Sequence, residues 1–485
     1  MGHLKRTYQR TLSASADEAY TWHMQPGAFQ RLTPPWESVR VLTPWKPIEE
    51  GSQVHLKVPL VQFPIDYPLI NALWCDWVCE HRDIIPGKQF YDVQTRGPFG
   101  YWNHCHRVEE IDATHCQLND TIEYSLPFGL VGATLGELLG GWYIRQKLDR
   151  MFAYRHNVLA HDLKLNQKLK QKKENALMKV LVAGSSGTVG SSLVALLKTG
   201  GHHVVRLVRR AARNENEISW DPVKGTIEAE KLEGFDAVVN LAGESIADGY
   251  WTAEKKQKIE SSRLQSTSLL ANTLTQLTQP PSVFINASAI GIYGSQGSKN
   301  LTEMADYAHD FLANVSRKWE AATQPASDKG IRTVMLRFGI ILTPKGGALG
   351  KMLPIFNLGL GGPFMTVGGD DLVAIGKNYM SWIALDDVLG AIVHAITTDS
   401  IKGPVNVVAP NPVTNGKFTS ILGRVLGRPT IAPVPAPMLQ LVFGEMANAL
   451  LLSSSKVEPL RLVESGYRFQ YPELEGALRH LLGKN

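Results

Sequence analysis

The stretch Met178-Lys-Val-Leu-Val-Ala-Gly-Ser-Ser-Gly-Thr-Val-Gly-Ser-Ser-Leu-Val-Ala-Leu-Leu-Lys-Thr-Gly200 decides how most of this chain is read. Val180 to Ala183 is a short apolar run of the kind that forms a buried parallel strand. Gly184, Gly187 and Gly190 follow at once, and Ser191 to Lys198 carries an apolar face at helical spacing. Strand, glycine turn and helix together are the context in which such a pattern points to a dinucleotide. Each glycine has its own task. Gly184 permits the tight turn, Gly187 lets the backbone approach a pyrophosphate, and Gly190 lets the helix pack closely on the strand. Ser186, Thr188 and Val189 complete the turn, and the free N–H groups where the helix starts favour negative charge. A glycine-rich turn that binds nothing stays open as the alternative.

Around this stretch lie 485 residues, enough for two to three domains. With 44% hydrophobic and 20% charged residues, the composition is that of an ordinary globular protein. A formal charge of +5 makes no case for nucleic acid as a partner. The four cysteines, Cys75, Cys79, Cys105 and Cys116, are too sparse for a disulfide scaffold and fit a reducing compartment. The start, Met1-Gly-His-Leu-Lys-Arg-Thr-Tyr, has no apolar leader, and no apolar run reaches membrane-spanning length. A cytoplasmic location without membrane insertion is expected.

Residues 1–160 read as a first domain. Tyr8 to Leu12 alternates as a strand, and Ser15 with Glu18 three residues on has the spacing of a capping box for a helix. Short β-rich runs follow at Val39–Leu42, Gln53–Val58, Trp74–Glu80, Gln89–Thr95, Tyr101–Val108 and Cys116–Tyr124, which suggests one curved antiparallel sheet. A long helix, about Leu138 to Leu165, closes the segment. A curved sheet around a long helix leaves room for an apolar small molecule. Trp22, Trp36, Trp45, Trp74, Trp77, Trp102 and Trp142 either line such a cavity or simply fill the core. His104 and His106 share one face of their strand while Cys105 faces the other way. No spaced cysteine pair accompanies them, so no metal site is expected.

Gly27-Ala-Phe-Gln-Arg-Leu-Thr-Pro-Pro-Trp36, Phe90-Tyr-Asp-Val-Gln-Thr-Arg-Gly-Pro-Phe99 with Trp102 and His104, and Asp120-Thr-Ile-Glu-Tyr-Ser-Leu-Pro127 resemble the SRPBCC or START-like helix-grip domains. The resemblance implies an α+β fold that binds a lipophilic molecule; some members act as cyclases or dehydratases. Residues 161–177, rich in Lys, then read as a basic linker to a second domain, 178–485.

In that second domain His203 to Val208 is the next strand, with Arg209 and Arg210 at its end. A site for NAD usually places an acidic residue there, whereas arginine matches the 2′-phosphate of NADP. Phe235–Gly243, Ser282–Gly294 and Arg332–Pro344 read as further buried strands, and Gln257–Leu277 as a helix, which makes a doubly wound α/β sheet.

The glycine turn, Asn240-Leu-Ala-Gly-Glu-Ser-Ile246, Trp251-Thr, Ser262-Arg263, Ala287-Ser-Ala-Ile-Gly-Ile-Tyr-Gly294, Gly359-Leu-Gly-Gly-Pro363 and Met380-Ser-Trp-Ile-Ala-Leu-Asp-Asp387 resemble the epimerase-type branch of the short-chain dehydrogenases/reductases. More narrowly they resemble its sugar-epimerase-like subfamily, whose C-terminal module covers about 430–483 here. The resemblance implies a Rossmann fold holding NADP(H) through Gly184, Ser186, Gly187, Thr188, Val189, Gly190, Arg209, Arg210, Leu241, Ala242 and Gly243, with Arg337 as a ribose-contacting cation. It also implies a small-molecule substrate. Active members carry a Tyr and a Lys four residues later. Aligned through Glu320, those positions hold Leu312 and Ser316. Only Tyr143-Ile-Arg-Gln-Lys147 has the spacing, and it lies in the first domain. Ser288 and Tyr293 are the remaining catalytic candidates, with Lys318 weaker. Asp386 and Asp387 are expected to anchor the substrate lobe or to cap a helix from Val388. Three functions follow: an NADP(H)-dependent oxidoreductase or epimerase-like enzyme of unusual mechanism, a silent NADP(H) sensor or carrier, or chemistry confined to the first domain.

Overall fold

The computed structural model describes residues 3–59, 74–126, 141–367 and 373–484. The chain divides into two compact units, the first of residues 1–168 with 195–201 and the second of 169–194 with 202–484.

The first unit contains β1 (Leu4–Leu12), α1 (Ala16–Met24), α2 (Ala28–Leu32), β2 (Arg40–Val41), β3 (Gln53–Pro59), β4 (Trp74–Ile85), β5 (Gln89–Arg96), β6 (Tyr101–Asp112) and β7 (His115–Ser125). The strands form one antiparallel sheet in the order β1-β7-β6-β5-β4-β3-β2. Residues in β1 alternate between half-buried and exposed, as the sequence alternation requires of a strand with one packed face. Ser15 caps α1 by accepting from the Glu18 N–H, and Glu18 reaches back to the Ser15 N–H. The long helix α3 (Trp142–Lys172) packs Leu148, Phe152, Leu159 and Leu163 among Leu118, Ile122, Tyr124 and Trp102 of the sheet. The expected helix start at Leu138 lies outside the described residues. Its end comes later than the expected Leu165: the helix runs on to Lys172, through most of the expected 161–177 linker, because no Pro or Gly interrupts it. Glu174 and Asn175 stop it with φ of 52° and 68°, and the Asn175 N–H bonds the Lys170 carbonyl. Trp22 and Trp102 are core, whereas Trp45 and Trp142 are exposed.

The second unit contains β8 (Lys179–Ala183), the larger part of α4 (Thr188–Thr199, whose residues from 195 on count with the first unit), β9 (His203–Val208), β10 (Glu217–Asp221), β11 (Thr226–Ile227), β12 (Ala237–Asn240), α5 (Ala253–Thr275), β13 (Val283–Ala289), β14 (Asn300–Leu301), α6 (Phe311–Ala321) and β15 (Arg332–Phe338). A sheet of eight strands runs β11-β10-β9-β8-β12-β13-β15 and ends on Gly403–Val407. All its pairings are parallel except β10 with β11. The order reverses at β8, the switch point where a Rossmann-like sheet opens a crevice at its carboxyl ends. The expected strand Arg332–Pro344 is two pieces. Gly339 separates them, and a Cβ there would lie 2.6 Å from the Ser381 carbonyl, so Ile340–Leu342 leaves the main sheet to pair with Trp382–Ala384.

Beyond the sheet, the helix Leu385–Thr397 holds Asp386 and Asp387 in its first turn, three residues ahead of the expected start at Val388. Asp387 accepts from the Tyr467 hydroxyl and the Gln470 and Tyr471 N–H groups, and Asp386 meets His480 Nε2 at 3.1 Å. The pair therefore ties the C-terminal segment down. No helix among the described residues is long and apolar enough to cross a membrane.

Candidate functional site

The three glycines of the β8–α4 turn are not equivalent. Gly184 has φ +72°, and a Cβ on it would stand 2.5 Å from the Leu241 carbonyl carbon. A Cβ on Gly190 would stand 2.2 Å from the Gly184 oxygen. Both are filled by the protein's own backbone. A Cβ on Gly187 would meet only the Gly184 oxygen, at 3.4 Å, and the site beside it is otherwise open. Ser186, Gly187 and Thr188 are exposed and Val189 is half-buried. The first turn of α4 has no carbonyls before it to receive its N–H groups, so they are available to an anion.

Beside this turn, the Leu241 N–H bonds the Ala183 carbonyl and brings Leu241, Ala242 and Gly243 alongside. The wholly buried Asn240 shapes that loop: its Oδ1 accepts from the Ala242 N–H, and its Nδ2 donates to Asn286 Oδ1 at 2.7 Å. Arg263 lies behind it, donating to the Glu244 and Ile259 carbonyls. The two arginines after β9 separate. Arg210 is clasped by Glu217 through two contacts of 2.7 Å, which leaves its fork occupied. Arg209 is exposed and makes no ion pair among the described residues. Lys255, and after it Lys258 and Arg209, hold the Glu244 carboxyl below its usual range.

At the end of β13 the structure reassigns the expected residues. Parallel register aligns Ser288 with Arg337, and Arg337 with Asn406. Ser288 donates to Glu320 Oε1 at 2.7 Å. Arg337, fully buried, grips both oxygens of Glu320 at 2.7 and 2.8 Å and donates to the hydroxyls of Tyr293 and Tyr307. Its guanidinium is an internal brace, not a cation turned to a ribose. Tyr293, also fully buried, donates to Asn406 Oδ1 at 2.7 Å, and burial pushes its phenol up to about 12 against the pull of Arg337. Such a phenol holds its proton. Leu312 of α6 faces Gly291, where a Cβ would stand 3.3 Å from Leu312 Cβ, and Ser316 is buried. Lys318 instead pairs with Glu260. Tyr143 is exposed and Lys147 pairs with Glu37, so the one Tyr-x-x-x-Lys spacing forms no site. Asn406 and Asn286, and the bracing part of Glu320, are not apparent from the sequence; the alternation Asn286-x-Ser288 at a strand's carboxyl end is the available signal. A groove of about 850 Å³ lined by Tyr307, Arg317, Glu320, Arg332, Lys402 and Arg461 includes none of the glycine turn.

The first unit holds a second polar constellation. Asp120 lies opposite His106 in the β6–β7 register, and Asp92 opposite His104 and His81 in its neighbours. Asp120 Oδ1 lies 3.1 Å from His104 Nε2 and 2.7 Å from His106 Nδ1, and its Oδ2 lies 2.8 Å from His156 Nε2 of α3. Asp92 meets His81 Nδ1 at 2.7 Å and His106 Nε2 at 3.3 Å. Burial lowers His104 to about 4. The same burial acts on His106, but Asp120 and Asp92 overcome it and raise that group to about 9.

Residues 180–408 match the NAD dependent epimerase/dehydratase family, and 434–481 match a domain of unknown function, DUF1731. An epimerase family protein of Mycobacterium bovis is 38% identical over 299 residues, 62% of this chain and 96% of that protein. The human epimerase family protein SDR39U1 is 35% identical over 63% of this chain and its own whole length. Its isoform 2, solved with NADPH, superposes with a TM-score of 0.56 at 34% identity, covering 63% of this chain and 99% of that one. A nucleoside-diphosphate sugar epimerase structure from Corynebacterium glutamicum covers 99% of this chain and 90% of its own, with a TM-score of 0.76 and 30% identity. With these matches and the Rossmann-like sheet, the chain belongs to the epimerase family.

Proposed function

We propose that the second unit binds NADP(H) across the carboxyl ends of β8, β9 and β12 and serves as an oxidoreductase or epimerase-like enzyme without the usual Tyr–Lys pair. The observation that carries this reading is the contrast within the turn: Gly184 and Gly190 are packed by the chain, while Gly187 opens on free space at a helix start. The residues present fit the nucleotide. The α4 N–H groups would hold the pyrophosphate, Leu241 to Gly243 would lie alongside it, and Arg209 would face the 2′-phosphate. When bound, the nicotinamide supplies or accepts hydride. The protein's own part is to position it and to move a proton. Ser288 is the hydroxyl at the β13 end, and its own hydrogen is directed to Glu320. NADPH binding by human SDR39U1 supports the cofactor assignment.

The substrate in this reading is a small, partly apolar carbonyl or hydroxyl compound, and the place of work is the cytoplasm. The likeness of residues 1–160 to helix-grip domains supports a lipophilic ligand there, brought near the second unit by the fusion. A second reading, a silent NADP(H) sensor or carrier, is favoured by Leu312 and Ser316 standing where the acid–base pair belongs.

Parallel titrations with NADPH and NADH, followed by nucleotide fluorescence, test the first reading. Tight NADPH binding, weak NADH binding and loss of both in Gly187→Asp are expected. A screen of carbonyl compounds for NADPH oxidation then separates enzyme from sensor. No binding of either nucleotide would sink both.

A further inference from the structure

We infer that the buried Asp–His cluster of the first unit is a binding site for a divalent first-row metal ion, with Asp92, His104 and His106 as its protein ligands. Sequence spacing alone argued against a metal, since no spaced cysteine pair is present. The sheet supplies the ligands another way. His104 and His106 stand on one face of β6, and pairing with β5 sets Asp92 directly opposite His104. One donor atom from each of the three residues lies within 4.8 Å of the other two.

Two distances carry the argument. Asp92 Oδ2 and His106 Nε2 are 3.3 Å apart. That is close to the edge of a tetrahedron, about 3.4 Å, around an ion with bonds of about 2.1 Å. All three donors lie within 4.8 Å of one another, so they would have to draw together around one centre when the ion binds. Side-chain exposure is 3% for His104 and 8% for His106, while Asp92 at 26% gives the ion a way in.

The surroundings also fit a metal ion. Metal-bound imidazoles give their other nitrogen to a carboxylate, which fixes ring and tautomer. Asp120 takes that part for His104 through Nε2 and stands 2.7 Å from His106 Nδ1 as a charge contact, and His156 steadies its second oxygen. His81 likewise holds the second oxygen of Asp92. Two carboxylates in one buried cluster also supply the negative charge that a dication needs. Two imidazoles and one carboxylate, with positions left open, is a donor set for zinc or ferrous iron, not for magnesium or calcium.

The experiment uses the full-length, tag-free chain. Metal content is read by mass spectrometry as purified, after chelation, and after separate reconstitution with Zn²⁺, Fe²⁺ and Co²⁺, the last also followed by its visible absorption. About one ion per chain is expected, with a rise in Tm on binding. His106→Ala should abolish binding, and Asp120→Asn, which acts by positioning the rings, should weaken it ~10-fold to 100-fold. The exposed His203→Ala should change nothing. Asp92→Asn, isosteric and partly exposed, decides the matter if His106→Ala does not fold: binding weakened at least ~10-fold supports the site. Binding by none of the three ions, or full binding retained in Asp92→Asn, overturns it.

Discussion

Two ends of one crevice in the second unit have been treated differently. At the β8–α4 turn, function is written in backbone: Gly184 and Gly190 admit no side chain, and Gly187 leaves room. At the end of β13 the chain offers side chains instead, with Leu312 facing Gly291 and Ser316 buried on the helix beside it. The polar groups that remain are turned inward, with Ser288, Arg337 and Tyr293 joined through Glu320 and Asn406. In the proposed reading, nucleotide binding and proton transfer are therefore separable. The first needs a turn of fixed shape, the second needs two groups of matched pKa.

The sharpest way to break that contrast is Glu320→Ala. If Glu320 is a brace, its loss leaves the buried Arg337 without its partner and costs about 3 to 5 kcal/mol in chemical denaturation. NADPH affinity of the remaining folded protein should stay unchanged. A stable variant with altered nucleotide binding would instead return Arg337 to the cofactor.

Gly187→Asp should act in the opposite sense. Roughly hundredfold weaker NADPH binding, about 2.8 kcal/mol, is expected with stability within about 0.5 kcal/mol of the parent. Gly190→Val serves as its foil, because the clash with the Gly184 oxygen should destabilise the unit by about 1 to 3 kcal/mol. Equal effects of the two on stability would remove the distinction between packed and open glycines.

Separating the two arginines is the next, smaller effect. Arg209→Ala should weaken NADPH about tenfold, roughly 1.4 kcal/mol, and leave NADH alone. Arg210→Ala should leave the NADPH to NADH ratio unchanged, since its fork is held by Glu217.

The last test is the pH response of Tyr293. Its folded phenol titrates near 12, above the usual 10 of an unfolded chain. The folded state thus holds this proton more tightly. Its contribution to stability is complete below about pH 10 and is lost as pH rises through 12. Denaturation at pH 9 and pH 11.5 should show a steeper decline in the parent than in Tyr293→Phe. A rate profile that turns on Tyr293 near neutral pH would contradict the brace and restore it as an acid.

Much of this molecule was legible in order along the chain. The strands of the first unit fall close to the alternating runs, from Gln53 through Tyr124, and Ser15 with Glu18 makes its capping box. These succeed because strand alternation and capping depend on residues a few positions apart. The helix runs past the expected end at Leu165: a run of lysines resembles a linker, yet no Pro or Gly interrupts it before Glu174. That Glu217 holds the Arg210 fork is not visible along the chain, because Glu217 sits on the next strand.

By itself, the sequence determined the glycine turn, the parallel α/β order and the absence of a Tyr-x-x-x-Lys pair from the second unit, because each is a pattern of near neighbours. Tertiary structure alone decided that Arg337 is a brace held by Glu320, and that Asp92, His104, His106, Asp120 and His156 meet inside the first unit. The reason is physical. What a buried charged side chain meets is set by strand register and by the helix laid across the sheet, and those join residues that the chain keeps far apart.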